Sequence, residues 1–310
     1  MRPIAITVGD PAGIGPEIAL KAVRDPEVLA CCAPVLVGHR ALLARVADRL
    51  GLSVPDVVVE PALRLDAASI EPGIVSAAAG AAGAAAVELA IDGCRDGRFA
   101  AMVTCPLNKR ALAMAGVPFP GHTELLAARC GVRGEVMMLY DEAIAVALVT
   151  VHQGLATVAA ALEPARIVAT GRLLAQALAR LRGRPARLAV LGFNPHAGEG
   201  GLFGDEERAI APAVYELLQL GIDAEGPLPP DTAFTPANRE RFDGYVCMYH
   251  DQGLIPFKAL AFAEGVNVTL GLPITRTSVD HGTAFDIAWQ GVADHRNLVA
   301  AIRLAARLAT

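Results

Sequence analysis

No fully apolar run in this 310-residue chain is long enough to span a bilayer. The longest fully apolar runs, such as 143–149, fall far short of the roughly 20 residues a spanning helix needs. No Lys/Arg cluster or basic stripe is present. With 27 Lys and Arg against 32 Asp and Glu, the net charge is −5, which argues against nucleic acid as a partner. The six cysteines, at 31, 32, 94, 105, 130 and 247, form no C-x-x-C pair and no zinc-ribbon spacing. The opening "MRPIAITVGDPAG" lacks the apolar core of a secretory signal. Reduced thiols and a cytoplasmic protein are therefore expected. Neither G-x-G-x-x-G nor a phosphate-binding P-loop pattern occurs. No strong internal repeat or low-complexity linker interrupts the chain.

What is present is core material. Hydrophobic residues make up 54% of the chain and charged residues 19%, with a mean hydropathy of +0.43. That suffices for about two domains. Short apolar runs predict strands at 4–8, 34–38, 101–104, 136–140, 144–151, 188–193, 244–249 and 266–270. Helical stretches lie between several of them. Residues 164–181 place Ile167, Leu174, Leu178 and Leu181 on one face. Residues 206–220 have Asp205 as a candidate N-cap and Gly221 just beyond. Residues 297–308 form an amphipathic helix, and the Ala-rich 77–86 reads as tightly packed helix. Strands alternating with helices predict an α/β fold with a largely parallel sheet.

Five of these strands run straight into polar, Gly- or Pro-bracketed clusters: "GDPAGIGPE", "CPLNK", "HQG", "NPHAGEGG" and "HDQG". In α/β sheets, ligands bind beyond the carboxyl ends of strands. His152, His196 and His250 each follow a predicted strand. They are either unrelated loop histidines or imidazoles that converge on one divalent ion. Spacing alone does not show convergence. "GDPAGIGPE" is a tight strand-to-helix turn that could also hold an anion on helix amides. In "PGHTE", His122 and Thr123 could donate to a phosphate or carboxylate, and Thr123 could equally cap the helix that follows. "NPHAGEGGLFGDEE" is a metal or cofactor loop, or simply a flexible connection. Lys258 and Arg276 are candidate anion clamps, the second within a polar stretch, 266–286, that reads as a charged loop shaped by Gly and Pro.

These blocks, "TVGDPAGIGPE", "TCPLNK", "GHTE", "NPHAGEGG", "MYHDQGL" and "VNVTLGLPITRTSVDHGTA", closely resemble the signatures of the 4-hydroxythreonine-4-phosphate dehydrogenase (PdxA) family. They run in family order over nearly the whole chain. The resemblance implies two α/β/α domains with a cleft between them, isocitrate/isopropylmalate dehydrogenase-like, in a homodimer whose active site is shared between subunits. The expected first domain is discontinuous, 1–127 and 266–310, and the second is 128–265. By the same resemblance, His152, His196 and His250 bind one divalent metal (Zn, Mg, Co or Mn). His122, Thr123, Lys258, Asn267 and Arg276 bind substrate. The segment after His152 is the least faithful to the family pattern. Asp251, beside His250, is a candidate for orienting that imidazole or relaying a proton.

The implied reaction is oxidation of 4-phosphohydroxy-L-threonine by NAD or NADP. The 2-amino-3-oxo-4-phosphooxybutanoate formed loses CO2 to give 3-amino-2-oxopropyl phosphate for pyridoxine 5'-phosphate synthesis. Relatives that oxidise D-threonate or D-erythronate 4-phosphate are the nearest alternative, and "AFDIAWQG" resembles some of them. More distant relatives act on aromatic cis-dihydrodiols. A two-domain solute-binding protein and an inactive structural homologue are the readings outside this enzyme class.

Overall fold

The computed structural model describes residues 1–261 and 264–309. Its strands are β1 (Pro3–Thr7), β2 (Ala33–Val37), β3 (Val58–Val59), β4 (Ala101–Thr104), β5 (Val136–Asp141), β6 (Ile144–Leu148), β7 (Leu188–Leu191), β8 (Ala224–Leu228), β9 (Gly244–Cys247), β10 (Val266–Leu270) and β11 (Arg276–Val279). The fold is mixed α/β, with helices on both faces of the sheet. The chain separates into two compact units, Met1–Arg133 with Leu272–Thr310, and Gly134–Gly271. β10, which the sequence placed with the first domain, pairs antiparallel with β5 and so lies in the second unit.

In the first unit the strand order is β3-β2-β1-β4-β11, and every pairing is parallel. Parallel strands are buried on both faces, which is why β4 reads as the apolar run Ala-Met-Val ending in a buried threonine. Ala5, Val35, Val37 and Met102 face the helix Ala77–Arg95 and the helix His122–Cys130. On the other face, Thr277 donates to the Ala301 carbonyl of the C-terminal helix Arg296–Leu308 at 2.8 Å. The Ala- and Gly-rich sequence of Ala77–Arg95 permits close approach. A Cβ on Gly80 would stand 2.1 Å from the Ala111 carbonyl oxygen. This helix is long and apolar enough to cross a membrane by length and composition, and 56% of that window is buried in the protein.

The second unit is mixed rather than largely parallel, with the order β10-β5-β6-β9-β7-β8. β10, β5 and β6 are successively antiparallel. β6, β9, β7 and β8 are parallel neighbours. The core here joins Leu139, Val146 and Leu148 to Tyr245, Leu254 and Phe257.

Three local expectations change. Residues 276–279, read as part of a loop, form the buried strand β11, because the polar Thr277 and Ser278 find hydrogen-bond partners inside. Asp205 does not cap the helix Glu207–Gln219. Its N-cap is Glu206, without a side-chain cap bond. The "HDQG" cluster, expected as a polar turn after its strand, opens a helix, His250–Leu260, that runs through Gly253 and Pro256. Gly253 there serves contact: its Cβ would meet Leu148 Cδ2 at 2.9 Å and Cys247 Sγ at 3.1 Å.

Candidate active site

The arrangement of β6, β9 and β7 decides where the three strand-end histidines go. Parallel neighbours present their carboxyl ends on one edge of the sheet. β6 leads to His152, β9 to His250 and β7 to His196, so the three turns lie side by side although 98 residues separate the outermost two in sequence. The His152 and His250 rings stand 5.8 Å apart between centroids, tilted by 43°. Both line a pocket of about 410 Å³ together with Gln153, Tyr249 and Asp251. Tyr249 also lines the adjoining pocket that holds His196, Asn194 and Asp231. Among the described residues, no group of three or more His, Cys, Asp or Glu is placed within one copy to hold a metal ion.

Each of two imidazoles is engaged through Nδ1. His250 Nδ1 lies 2.7 Å from Asp251 Oδ1, and His196 Nδ1 lies 3.0 Å from Glu199 Oε2. A protonated Nδ1 in each leaves Nε2 for a ligand. His250 is the first residue of its helix. Asp251 sits in the first turn, where a carboxylate also complements the helix dipole.

His196 occupies an unusual turn. His196, Ala197, Gly198, Glu199 and Gly200 are all left-handed, with φ between 45° and 78°. Non-glycine residues pay roughly 1–2 kcal/mol each for that conformation. Glu207 holds the turn from outside. Its Oε1 accepts from the amides of Phe193 (2.9 Å) and Asn194 (2.8 Å), and its Oε2 from Asn194 Nδ2 (2.9 Å). The "flexible connection" reading of this segment is thereby corrected.

In the first unit, Arg276 is 4% exposed. Its Nη2 donates to Thr104 Oγ1 at 2.7 Å. Register explains the contact: Arg276 pairs with Met102 and Ser278 with Thr104, so these side chains share one face. The helix His122–Cys130 covers the same face, and His122 is its first residue. Burial, and then the Arg276 charge, push the His122 pKa well below its ordinary value. His122 is therefore neutral near pH 7, and its buried Nε2 has no hydrogen-bond partner among the described residues. Burial also lowers Arg276 to about 10. Thr123 follows His122 inside the helix. It is not the cap, which is Gly121. Lys258 and Asn267 belong to the second unit, on the helix His250–Leu260 and on β10.

Several participants were not singled out from sequence. Thr104, Thr150, Glu207 and Gln252 are ordinary polar residues whose importance is their partners. Gln252, Thr104 and Glu207 lay within the blocks "HDQG", "TCPLNK" and "NPHAGEGGLFGDEE", and Thr150 carried no signal.

Residues 30–305 match the family model described as pyridoxal phosphate biosynthetic protein PdxA. The chain is 46% identical over 324 residues to 4-hydroxythreonine-4-phosphate dehydrogenase of Desulforapulum autotrophicum, covering 99% of this chain and 95% of that protein. It is 44% identical over 324 residues to D-threonate 4-phosphate dehydrogenase of Cupriavidus necator, covering 99% and 97%. A crystal structure of 4-hydroxythreonine-4-phosphate dehydrogenase from Klebsiella pneumoniae is similar with a TM-score of 0.89 at 40% identity, covering 100% of both chains.

Proposed function

The chain belongs to the PdxA family of pyridoxal phosphate biosynthetic proteins, and from that premise we propose that it oxidises 4-phosphohydroxy-L-threonine with hydride transfer to NAD or NADP. It is an oxidoreductase acting on a CH–OH group. The product, 2-amino-3-oxo-4-phosphooxybutanoate, loses CO2 to give 3-amino-2-oxopropyl phosphate for pyridoxine 5'-phosphate synthesis. The observation that carries the reading is the delivery of His152, His250 and His196 to one sheet edge by three adjacent parallel strands.

The donor set suits a divalent ion. Three imidazoles favour zinc or cobalt, and magnesium or manganese would need added oxygen ligands. Two rings already share a pocket. When bound, such an ion would supply Lewis-acid polarisation at the reacting C3 centre. Asp251 and Glu199 orient His250 and His196. In this reading the trio is completed across a homodimer in the cytoplasm, and the two units adopt the isocitrate/isopropylmalate-dehydrogenase-like arrangement.

The remaining residues bind and orient substrate. Arg276, held by Thr104, offers a buried guanidinium to phosphate or carboxylate. Neutral His122 donates from Nε2 to the same anion, and Thr123 adds a hydroxyl. Lys258 supplies a point charge and Asn267 an amide. Holding both anionic ends fixes the C3 hydrogen toward the nicotinamide.

A second reading keeps the chemistry but exchanges the amino acid for D-threonate or D-erythronate 4-phosphate. The 44% identity to a D-threonate 4-phosphate dehydrogenase favours it nearly as strongly. NAD(P)H formation with the three substrates, with and without chelator, decides. Chelator-sensitive turnover of the amino acid supports the first reading, and turnover of the sugar acids alone supports the second. Inactivity with all three rejects both.

A further inference from the structure

Beneath the three histidine turns, the strand ends are joined by a buried hydrogen-bond chain centred on Gln252. Gln252 is the third residue of the helix His250–Leu260 and is 7% exposed. Its Oε1 accepts from the Met248 amide at 2.6 Å, and its Nε2 donates to the Gly192 carbonyl at 2.7 Å. The first partner lies at the end of β9, two residues before His250. The second lies at the end of β7, four residues before His196.

The chain continues on both sides. The Met248 carbonyl accepts from the Thr150 hydroxyl at 2.7 Å and from the Thr150 amide at 3.2 Å. Thr150 follows β6, two residues before His152. Beyond Gly192, the amides of Phe193 and Asn194 are taken by Glu207. One side-chain amide thus ties the central strand end to one neighbour, and a threonine ties it to the other.

The chemistry of the position is specific. Bridging a backbone N–H and a backbone C=O needs one acceptor and one donor on the same side chain, which a primary amide supplies. Removing it leaves two buried backbone groups without these partners. Met248 and Gly192 each lie one residue past the last paired residues of β9 and β7, Cys247 and Leu191, so the side-chain amide joins these two strand ends where their registered pairing stops. Small shifts there pass directly to the imidazoles.

We propose that Gln252 is a positioning residue that sets the relative placement of the turns bearing His152, His196 and His250, and through it the affinity for a divalent cation. It touches neither the ion nor the substrate. The inference rests on the three-histidine reading above and holds whether one copy or two complete the ligand set.

The test is cobalt(II) titration of the full-length protein, read by visible absorption and by chelator competition. Gln252→Leu keeps the bulk and removes the bridge. It is expected to weaken cobalt(II) binding about tenfold to hundredfold and to alter the absorption bands. Thr150→Val is expected to act in the same direction, and Thr150→Ser, which retains the hydroxyl, to restore binding. A folded Gln252→Leu protein with unchanged affinity and spectrum overturns the proposal. If that variant does not fold, the threonine pair decides: loss in Thr150→Val with recovery in Thr150→Ser supports it, and equal binding in both overturns it. His196→Ala separates the two levels. Cobalt(II) binding undiminished in His196→Ala rejects the histidine reading itself. Binding lost there but intact in Gln252→Leu rejects only the role of Gln252.

Discussion

Two buried side chains show how single residues set the chemistry. Arg276 keeps its charge inside the first unit with Thr104 as one hydrogen-bond acceptor at 2.7 Å. Thr104→Val removes that acceptor at nearly constant volume. The expected outcome is a KM for the phosphorylated substrate raised about tenfold and a stability loss of about 1–3 kcal/mol, with Thr104→Ser recovering most of both. Steady-state kinetics and urea denaturation measure these. An unchanged KM would remove Thr104 from the substrate site. Asp10 is the second case. It is fully buried, and burial pushes its pKa up to about 6 despite amide hydrogen bonds from Ala12 and Asn108. The folded state therefore holds a proton that the unfolded state releases between the ordinary value of 3.8 and about 6. Stability attributable to this group is highest below that window and falls as pH rises through it. Asp10→Asn has no proton to lose. Its stability relative to the parent should rise between pH 4 and pH 7, by on the order of 2–3 kcal/mol. A difference independent of pH, in urea titrations across that range, contradicts this.

At the scale of elements, the histidine-bearing segments are held by their packing. The helix His250–Leu260 lies so close to β6 and β9 that a methyl group on Gly253 would have to displace the Leu148 and Cys247 side chains. Gly253→Ala is expected to push this helix outward, costing about 1–3 kcal/mol, and to lower turnover because His250 and Lys258 move with it. Full activity in that variant would show that the helix position is not critical. The left-handed turn 196–200 depends on Glu207 in the same way. Glu207→Ala leaves two backbone amides without their acceptor and frees a strained segment. A loss of at least about 2 kcal/mol in urea denaturation is expected. The sequence located this turn through its glycines but left it open between a metal or cofactor loop and a flexible connection. Glycine content signals permitted conformations. It does not reveal a carboxylate, eleven residues after His196, that selects one of them. Strand β8 (Ala-Glu-Gly-Pro-Leu) and β11 (Arg-Thr-Ser-Val) escaped detection for a related reason. Neither shows apolar alternation, and both are strands because a neighbouring strand takes their backbone groups.

For the molecule as a whole, the proposed shared-site homodimer makes a prediction that no single copy can satisfy. Co-expressed pairs of His152→Ala, His196→Ala and His250→Ala form hybrid dimers. If the ligands come from two copies, at least one pair regains NAD(P)H formation, since one of its two sites receives all three histidines. Recovery in no pair, with hybrid dimers confirmed by mass, would place the whole set within one chain.

The amino-acid sequence by itself determined the α/β class, most of the strands, the polar clusters that end them and, through its motif blocks, the family. These are local properties: apolar runs, turn residues and short ordered motifs are legible within a few positions. Only the tertiary structure decided that β6, β9 and β7 are neighbours, that Arg276 lies buried against Thr104, and that Gln252 links two strand ends. Those depend on strand order and register, which arise from contacts between residues far apart in sequence, such as Arg276 and Thr104, 172 positions apart, and no local pattern encodes which distant backbone a side chain will meet.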